Sequence, residues 1–319
     1  MLHRVGSKGR VIACAAVLVF VAGCGSSGGD SKNHRPPGST ATTTSTTATT
    51  TTDTATTTTT APKVDHGLIS FEKGVFGADE RLALFDPATK AVKPVPGGER
   101  GYYARFSRDG SMLVWSRLRK DQKGTDGILV QDLRTGKTRK VAADGGCPGF
   151  APDGRSVVVG AKRIHLDSGK ADALAGPKEG CRIELDDGRF IHTYYDEKID
   201  LLDGAKVTTI FQLPGCRLDT ASLSPDGSKL AFIRECEAKG DYGVTVMDID
   251  GSNAKSIADG NSYGTAWSPD GKSIVTAHAD KDEKVATLWI LDAAGKGTPK
   301  KVQPGPVNTP TWGPTAPTN

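Results

Sequence analysis

The chain of 319 residues has no apolar run as long as the ~20 residues that a helix needs to cross a bilayer. With 36% hydrophobic, 24% charged and only 6% aromatic residues, it is too polar for a multi-span membrane protein and suits one or two globular domains beside disordered sequence. An excess of one charge sign is also missing. The first 23 residues hold three of the 41 Lys and Arg and none of the 37 Asp and Glu, which leaves 38 against 37 in the remainder. This balance excludes nucleic-acid binding by bulk charge.

Two catalytic signatures are absent from the sequence: a phosphate-cradling Gly-x-x-x-x-Gly-Lys loop and a His-Glu-x-x-His zinc motif. Their absence excludes the nucleotide-binding proteins and metallopeptidases that depend on them. No Cys-x-x-Cys occurs either, which argues against a redox pair or a zinc site with that spacing. The sequence therefore predicts no cofactor and no metal, and it favours binding over catalysis.

The N-terminus has the plan of a secretory signal peptide, because residues 1–10 are polar and basic and residues 11–22 form an apolar run. The run ends in Val21-Ala22-Gly23-Cys24, which resembles the bacterial lipobox. The resemblance implies that residues 1–23 are removed and that Cys24 becomes a lipidated N-terminus with at least two acyl chains, palmitate among them. Two chains are what stable anchoring requires. The alternative is a plain signal peptide with a free Cys24. The prediction is an exported chain, anchored to the extracytoplasmic side of the cell membrane.

Residues 24–66 form a tether without hydrophobic periodicity, and 16 of the 21 residues 40–60 are Thr. Such a segment buries too little apolar surface to offset its chain entropy, so we predict that it is disordered. The 42 residues that follow Cys24 would span roughly 32–39 Å as a flexible coil. An O-glycosylated stalk and an unmodified linker are equally open interpretations of this composition.

The remaining residues, 67–319, contain a recurring turn in which an apolar residue precedes Ser or Ala, Pro or Arg, Asp and Gly. The clear copies are Phe106–Gly110, Phe150–Gly154, Leu223–Gly227 and Trp267–Gly271, with a degenerate copy at Leu185–Gly188. Their glycines are 44, 34, 39 and 44 residues apart, and Trp312 lies where a sixth copy should have its aromatic residue. The spacing predicts six repeats of about 42 residues.

Each repeat fits four short strands around this turn. Pro presets the backbone, Asp bonds to the turn backbone, and Gly takes the positive φ that returns the chain. Second strands such as Ser156–Val159 and Leu230–Ile233 follow, and third strands end in Asp, as in Val244–Asp248. Four strands per repeat predict an all-β, six-bladed β-propeller. Residues 67–98 supply three outer strands and Thr309–Trp312 one inner strand, so the two segments together predict a sixth blade that latches the ring.

The Ser-Pro-Asp-Gly turn, followed by a strand that ends in a motif such as Met247–Gly251, resembles the TolB-type, WD-like propeller repeat over residues 67–314. The resemblance implies a propeller that binds another protein. The leading hypothesis is a lipid-anchored, monomeric cell-envelope module for protein–protein interaction, with an envelope protein of unknown identity as partner. One alternative is a propeller that binds or cleaves a carbohydrate, peptide or small molecule in its central channel. Another is a surface protein without a specific ligand.

Four cysteines lie in the predicted propeller, and an exported chain meets an oxidising environment, so two structural disulfides are expected. Cys216 and Cys236 flank the Leu223–Gly227 turn symmetrically and should face each other across that hairpin. Cys147 and Cys181 each lie seven residues before a turn glycine, on neighbouring inner strands, and are paired by proximity and elimination. Equivalent positions point the same way around the ring, so this second bridge requires a distorted loop. A metal site or a redox pair is the alternative.

The inner strands should begin on the face that carries the loops between blades, so residues near their starts should surround one mouth of the channel. Aromatic and Arg side chains, which dominate protein interfaces, are frequent there. The candidate binding rim comprises Tyr102, Tyr103, Arg105, Arg182, Arg217, Asp219, Tyr263 and Asn308. Loops on the same face should carry Tyr194, Tyr195, Asp196 and Glu197.

Two further features admit a chemical interpretation. His165, His192 and His278 lie in different blades and could gather around the channel, as in propeller lyases, although isolated histidines are more often packed or solvated strand residues. The segment Asp248–Asn253 resembles the start of a calcium loop, but it lacks the distal Glu and fits a hairpin turn.

Overall fold

The computed structural model describes residues 67–74, 80–121, 123–194, 196–279, 285–303 and 305–314. The predicted signal peptide, Cys24 and the tether lie outside these residues, as does Tyr195. In the described part of the chain, no helix has the length and apolar character that a membrane crossing requires.

The described residues form 24 strands and one 3₁₀ turn, Glu237–Lys239. The first twelve strands are β1 (Leu68–Lys73), β2 (Arg81–Phe85), β3 (Val92–Glu99), β4 (Gly101–Phe106), β5 (Met112–Leu118), β6 (Thr125–Asp132), β7 (Thr138–Ala142), β8 (Gly149–Phe150), β9 (Ser156–Val159), β10 (Lys162–His165), β11 (Ala171–Ala173) and β12 (Cys181–Glu184). The other twelve are β13 (Phe190–Thr193), β14 (Lys198–Asp203), β15 (Lys206–Gln212), β16 (Arg217–Leu223), β17 (Lys229–Cys236), β18 (Asp241–Asp248), β19 (Lys255–Asp259), β20 (Asn261–Trp267), β21 (Ser273–Ala279), β22 (Thr287–Asp292), β23 (Lys300–Gln303) and β24 (Val307–Gly313). The predicted all-β class is confirmed.

These strands form six four-stranded antiparallel sheets. Blade 1 is β4–β7, blade 2 is β8–β11, blade 3 is β12–β15, blade 4 is β16–β19 and blade 5 is β20–β23. Blade 6 combines β24, as its inner strand, with β1–β3. Its register pairs Leu68 with Gly313, Ile69 with Trp312 and Lys73 with Val307. The structure thus confirms the six-bladed propeller and the latch formed by the two ends of the domain.

The core lies between neighbouring blades, and each adjacent pair of blades in the described chain shares one cluster of buried apolar residues. Second strands such as β9 are buried at every position because neighbouring blades cover both of their faces. Outer strands such as β15 are mostly exposed. The smallest cluster joins blades 2 and 3 and consists of Val158, Phe190 and Leu202, with Leu174 packed against it. Blade 2 is also the shortest, with two residues in β8 and three in β11.

The repeated turn closes the first two strands of a blade through its own side chains. In blade 4, the Ser224 hydroxyl donates to Asp226 Oδ1 at 2.6 Å, and the Ser228 N–H donates to the same oxygen at 3.0 Å. These hydrogen bonds lower the pKa of Asp226 to about 2. Gly227 has a φ of 73°, which returns the chain into β17. The turns of blades 1 and 5 repeat this arrangement around Asp109 and Asp270. The roles that the sequence assigned to Asp and Gly are confirmed.

Candidate functional site

The propeller has two faces, which differ in the loops that they carry. The turn face carries the turns between first and second strands, such as Ser224–Ser228. The linker face carries the loops between second and third strands and the links from one blade to the next, such as residues 143–148. Inner strands begin on the linker face, so the predicted binding rim belongs to that face.

A bulge interrupts the inner strands near their linker-face ends. In blades 1, 4, 5 and 6 the pairing of the inner strand shifts register, and a residue with positive φ lies at the shift. We call the six equivalent residues the bulge ring: Tyr103 (φ 50°), Cys147 (46°), Cys181, Thr220 (47°), Gly264 (72°) and Thr309 (32°). Only glycine adopts this conformation without strain, and a Cβ on Gly264 would lie 2.8 Å from the Thr309 Cα. Five of the six members therefore have left-handed backbone, which is strained in the four that are not glycine, whereas Cys181 does not share it.

Both predicted disulfides are present, Cys216–Cys236 and Cys147–Cys181, with Cα atoms 4.1 and 5.2 Å apart. The second joins two members of the bulge ring in neighbouring blades. Cys147 has the left-handed φ of the ring and Cys181 does not, so the two equivalent positions differ in backbone conformation where they are bridged. The disulfide therefore ties blade 2 to blade 3 at the channel wall.

Two cavities meet at the bulge ring. A cavity of about 720 Å³ fills the channel and opens at the turn face, where Pro152, Pro225 and Pro269 line it. Its wall is mainly apolar and includes Phe106, Phe150, Trp267 and Trp312. A second cavity, of about 1070 Å³, lies beside blade 2 and reaches the linker face. The residues that line both cavities, and therefore lie between them, are Tyr103, Cys147, Cys181 and Thr193.

Ionisable side chains gather around Tyr103. The Tyr103 N–H donates to Glu72 Oε1 at 2.9 Å, and Glu72 also forms a hydrogen bond with Glu80. Both carboxyl groups are buried. Burial, together with the negative charge of Glu80, raises the pKa of Glu72 to about 8. Burial also lowers the pKa of Arg105, whereas the nearby Tyr103, Asp219 and Glu72 raise it. The protonated Glu72 carboxyl thus positions the bulge of Tyr103 at neutral pH.

Sequence reasoning missed Glu72 and Glu80. The available signal was Glu72 itself, an acid that follows the strand-forming residues Leu68-Ile-Ser-Phe71 within β1. Carboxyl groups buried next to one another hold a proton that isolated surface carboxyl groups release. The stability of the fold should therefore respond to the titration of this pair.

We expect Glu72→Gln to reduce the loss of stability that the protein suffers as pH rises. Between the ordinary pKa of 4.5 and the folded-state value of about 8, the unfolded chain ionises Glu72 while the folded chain keeps it protonated. The contribution of Glu72 to the free energy of unfolding is therefore at its full value below pH 4.5. It falls by up to about 1.4 kcal/mol per pH unit as the pH rises to 8. The groups that face Glu72 are Glu80, Tyr102 and Arg105.

Melting temperatures at pH 5 and pH 8 measure this effect. The wild type should lose more stability between the two pH values than Glu72→Gln does. The matched control is Glu99→Gln on β3, which changes an exposed carboxyl and should behave as the wild type. An equal loss in Glu72→Gln and the wild type would show that Glu72 is already ionised in the folded chain.

The structure distributes the eight predicted rim residues over several environments. Tyr103 lines both cavities, Arg105 and Arg182 line the channel, and Asp219 lines the second cavity. Arg182 is 4% exposed and Asp219 8% exposed, so both are buried rather than open to a partner. Tyr102 is half-buried, with its ring centroid 5.1 Å from that of Tyr103.

The other three predicted rim residues are more exposed to solvent than Arg182 and Asp219. Arg217 is exposed and pairs with Glu235 and Glu237. Tyr263 is exposed at the start of β20, and Asn308 is half-buried opposite Glu72 in the β24–β1 pairing. Asp196 and Glu197, expected in a loop on this face, are half-buried between blades 3 and 4. The backbone of Asp196 forms an isolated antiparallel β-bridge with Leu218 there.

Exposed apolar side chains concentrate on the linker face. Among the described residues, the large ones are Tyr194 (53% exposed), Val207 (45%), Tyr263 (44%) and Val285 (43%). Tyr194 follows β13, Tyr263 begins β20 and Val285 precedes β22, which places all three on the linker face. Val207 lies on the outer strand β15. The linker face therefore offers apolar anchors of the kind that interfaces use.

The three histidines do not gather at the channel. His165 Nε2 lies 2.7 Å from Asp172 Oδ2, His192 Nε2 lies 2.8 Å from the Glu179 carbonyl, and His278 Nδ1 lies 3.0 Å from Ser262 Oγ. None of them lines the channel cavity. The described residues contain no group of three or more His, Cys, Asp or Glu side chains that could hold a metal ion.

The segment Asp248–Asn253 forms the predicted hairpin turn between β18 and β19. Asp250 Oδ1 accepts the Ser252 N–H at 2.9 Å, and Asp248 Oδ2 accepts the Asn253 side-chain amide at 2.6 Å. The carboxylates that resembled a calcium loop are therefore used within the turn.

The blades, the latch and the channel define the chain as a six-bladed β-propeller, and comparison with solved structures shows that its fold is like that of TolB. TolB from Acinetobacter baumannii superimposes with a TM-score of 0.64 at 22% identity, over 78% of this chain and 67% of that one. A putative TolB from Agrobacterium tumefaciens matches with a TM-score of 0.54 at 17% identity, over 78% and 91%. These likenesses establish the fold.

At the level of sequence, 79 residues are 33% identical to the Tol-Pal system protein TolB of Rhizorhabdus wittichii. The match covers 24% of this chain and 18% of that relative, so the chain spans less than a fifth of it. No family model matches the chain.

Proposed function

We propose that the protein is a lipid-anchored, exported protein of the cell envelope whose propeller binds another protein through its linker face. The observation that carries the proposal is the concentration of exposed Tyr194, Tyr263 and Val285 on that face. The TolB-like fold supports it, since the relative that matches in sequence is by name a component of the Tol-Pal system. Two disulfides support export, because such bonds persist in oxidising compartments.

The tyrosines suit an interface because each presents a rigid apolar ring with a polar end. The Tyr194 hydroxyl lies near Glu179, whose carboxyl raises the pKa of Tyr194. Arg217, on the same face, supplies a cation already positioned by Glu235 at 3.4 Å. Preorganised aromatic and Arg side chains lose little conformational entropy when a partner binds.

The proposed anchor is Cys24, joined to the propeller by the Thr-rich tether, residues 24–66. The propeller begins at Gly67, where a Cβ would lie 2.8 Å from Pro269 in the Ser-Pro-Asp-Gly turn of blade 5. The described chain therefore enters the propeller at the turn face.

Capture from detergent-solubilised envelope with the full-length chain tests the proposal. We expect the wild type to partition into the detergent phase and to retain a stoichiometric protein. Tyr194→Ala combined with Tyr263→Ala should reduce retention about tenfold or more, because anchors of this kind contribute over 1 kcal/mol each. Val207→Ala is the matched control, since Val207 is equally exposed but lies on an outer strand. Unchanged retention by the double variant would show that the linker face is not the binding surface. A wild-type chain that stays in the aqueous phase would contradict lipid anchoring at Cys24.

A further inference from the structure

Two arginines, Arg182 and Arg234, are buried in the described part of the propeller, and they differ in the partners of their guanidinium groups. Arg234 on β17 is 7% exposed, and its guanidinium is fully engaged. It donates to Asp241 Oδ1 at 3.0 Å, to Thr245 Oγ1 at 2.9 Å and to Asp259 Oδ1 at 3.2 Å. Its charge is therefore compensated by two carboxylates, as a buried ion requires.

Arg182 on β12 has no such compensation. It is 4% exposed, and Nη2 donates to the Pro177 carbonyl, but Nε and Nη1 are buried without a hydrogen-bond partner. Among the described residues, none forms an ion pair with it within 4.0 Å. Glu184, the acid nearest in sequence on β12, pairs through Oε1 with Arg163 of blade 2 instead, and its Oε2 is buried without a hydrogen-bond partner. Two N–H donors of Arg182 therefore have no hydrogen-bond acceptor, and its positive charge has no carboxylate partner, among the described residues.

The surroundings of Arg182 are apolar. Its guanidinium carbon lies 5.6 Å from the ring centroid of Phe190, which belongs to the small cluster between blades 2 and 3. The link between these blades passes alongside, and a Cβ on Gly176 would lie 3.6 Å from both Arg182 Nη2 and Leu202 Cδ1. Burial lowers the pKa of Arg182. An isolated charge in such a place costs several kcal/mol, and native proteins offset this cost with a counterion.

We propose that Arg182 binds a small anion, chloride or a carboxylate, at the interface of blades 2 and 3. A water molecule could accept the two free N–H groups, but it would leave the charge uncompensated, whereas an anion satisfies both. The two donor atoms are almost inaccessible to solvent, so an anion that binds them must shed its water and contact the guanidinium directly. Arg182 also lines the channel cavity, which gives the ion a route from the turn face.

Anion exchange at constant ionic strength tests the proposal. Sodium gluconate, whose anion is the bulkiest of the three, is replaced stepwise by sodium chloride in one series and by sodium acetate in another. Binding to the folded state alone raises the melting temperature with anion concentration. We expect a rise of several degrees that saturates. A rise with chloride alone identifies a halide site, and a rise with acetate identifies a site that also admits a carboxylate.

Two variants separate this site from general salt effects. Arg182→Met keeps most of the side-chain volume and should lose the anion dependence. Arg234→Met, the matched buried arginine, should keep it although its ion pairs are lost. A wild-type melting temperature that is the same in all three salts, or an equal anion dependence in Arg182→Met, would overturn the proposal. If Arg182→Met does not fold, crystals of the wild type soaked in bromide decide: an anomalous peak beside Arg182 Nε or Nη1 supports the site, and its absence overturns it.

Discussion

A chain shortened to end at Gln303 should fail to form a stable propeller. The truncation removes β24, the inner strand of blade 6, which pairs with β1 from Leu68 to Lys73. Val307 of β24 belongs to the core cluster between blades 5 and 6. At the other end of the strand, a Cβ on Gly313 would lie 2.3 Å from Phe106 of blade 1. Removal of β24 therefore opens the ring on both sides.

The expected loss is comparable with the whole stability of the fold. Each large buried side chain that is deleted costs about 2–5 kcal/mol, and a folded domain is stable by about 5–15 kcal/mol in total. Urea denaturation followed by circular dichroism should show no cooperative transition, or one at a much lower urea concentration. The matched control ends at Pro314, so it loses only residues 315–319 and should unfold as the wild type does. A cooperative, wild-type transition in the shorter chain would mean that five blades and β1–β3 suffice.

The blade plan could be predicted from the sequence because local chemistry determines it. Asp226 and Gly227 form their turn through hydrogen bonds and a positive φ within five residues, so the turn is visible wherever the motif occurs. The latch follows by counting, since the strands left over at the two ends add up to one blade. Neither step requires knowledge of how the blades pack together.

The bulge ring was harder to predict from the sequence, although one of its members lies seven residues before each turn glycine. Because Gly264 is a glycine, a left-handed conformation could be predicted there. The residue types of Tyr103, Thr220 and Thr309 give no such indication. Their conformation is imposed by contacts between blades, such as the bond from the Tyr103 N–H to Glu72. A single sequence does not show which side chains meet across blades.

The same reason limits the prediction of the site. The starts of the inner strands were placed on the linker face correctly, but exposure was not predictable from strand position. Arg182 and Asp219 are buried, whereas Tyr263 is exposed at a similar place in its strand. Burial of Arg182 depends on the packing of blade 3 against the short blade 2. Residues that act through such packing can be identified only from the three-dimensional structure.

Removing the Cys147–Cys181 disulfide should destabilise the propeller more than removing Cys216–Cys236. The first closes a loop over a sequence separation of 34 residues and the second over 20. Loop-closure entropy then predicts losses of about 3.8 and about 3.3 kcal/mol, respectively. The two bonds also differ in what they join: Cys216 and Cys236 connect the first two strands of blade 4, which β16 and β17 already hold together by pairing. Cys147 and Cys181 instead enclose all of blade 2.

Blade 2 depends on this bond more than other blades would. It contains the two shortest strands of the propeller, β8 and β11, and it shares with blade 3 the smallest apolar cluster, beside which the charged Arg182 lies. Urea denaturation of Cys147→Ala with Cys181→Ala, and of Cys216→Ala with Cys236→Ala, compares the two losses. Amide exchange in β8–β11 should accelerate in the first variant and stay unchanged in the second. If both variants lose equal stability and blade 2 remains protected, packing between blades 2 and 3 is sufficient without the covalent bond. A larger loss with local exposure would show that the disulfide compensates for the small apolar interface.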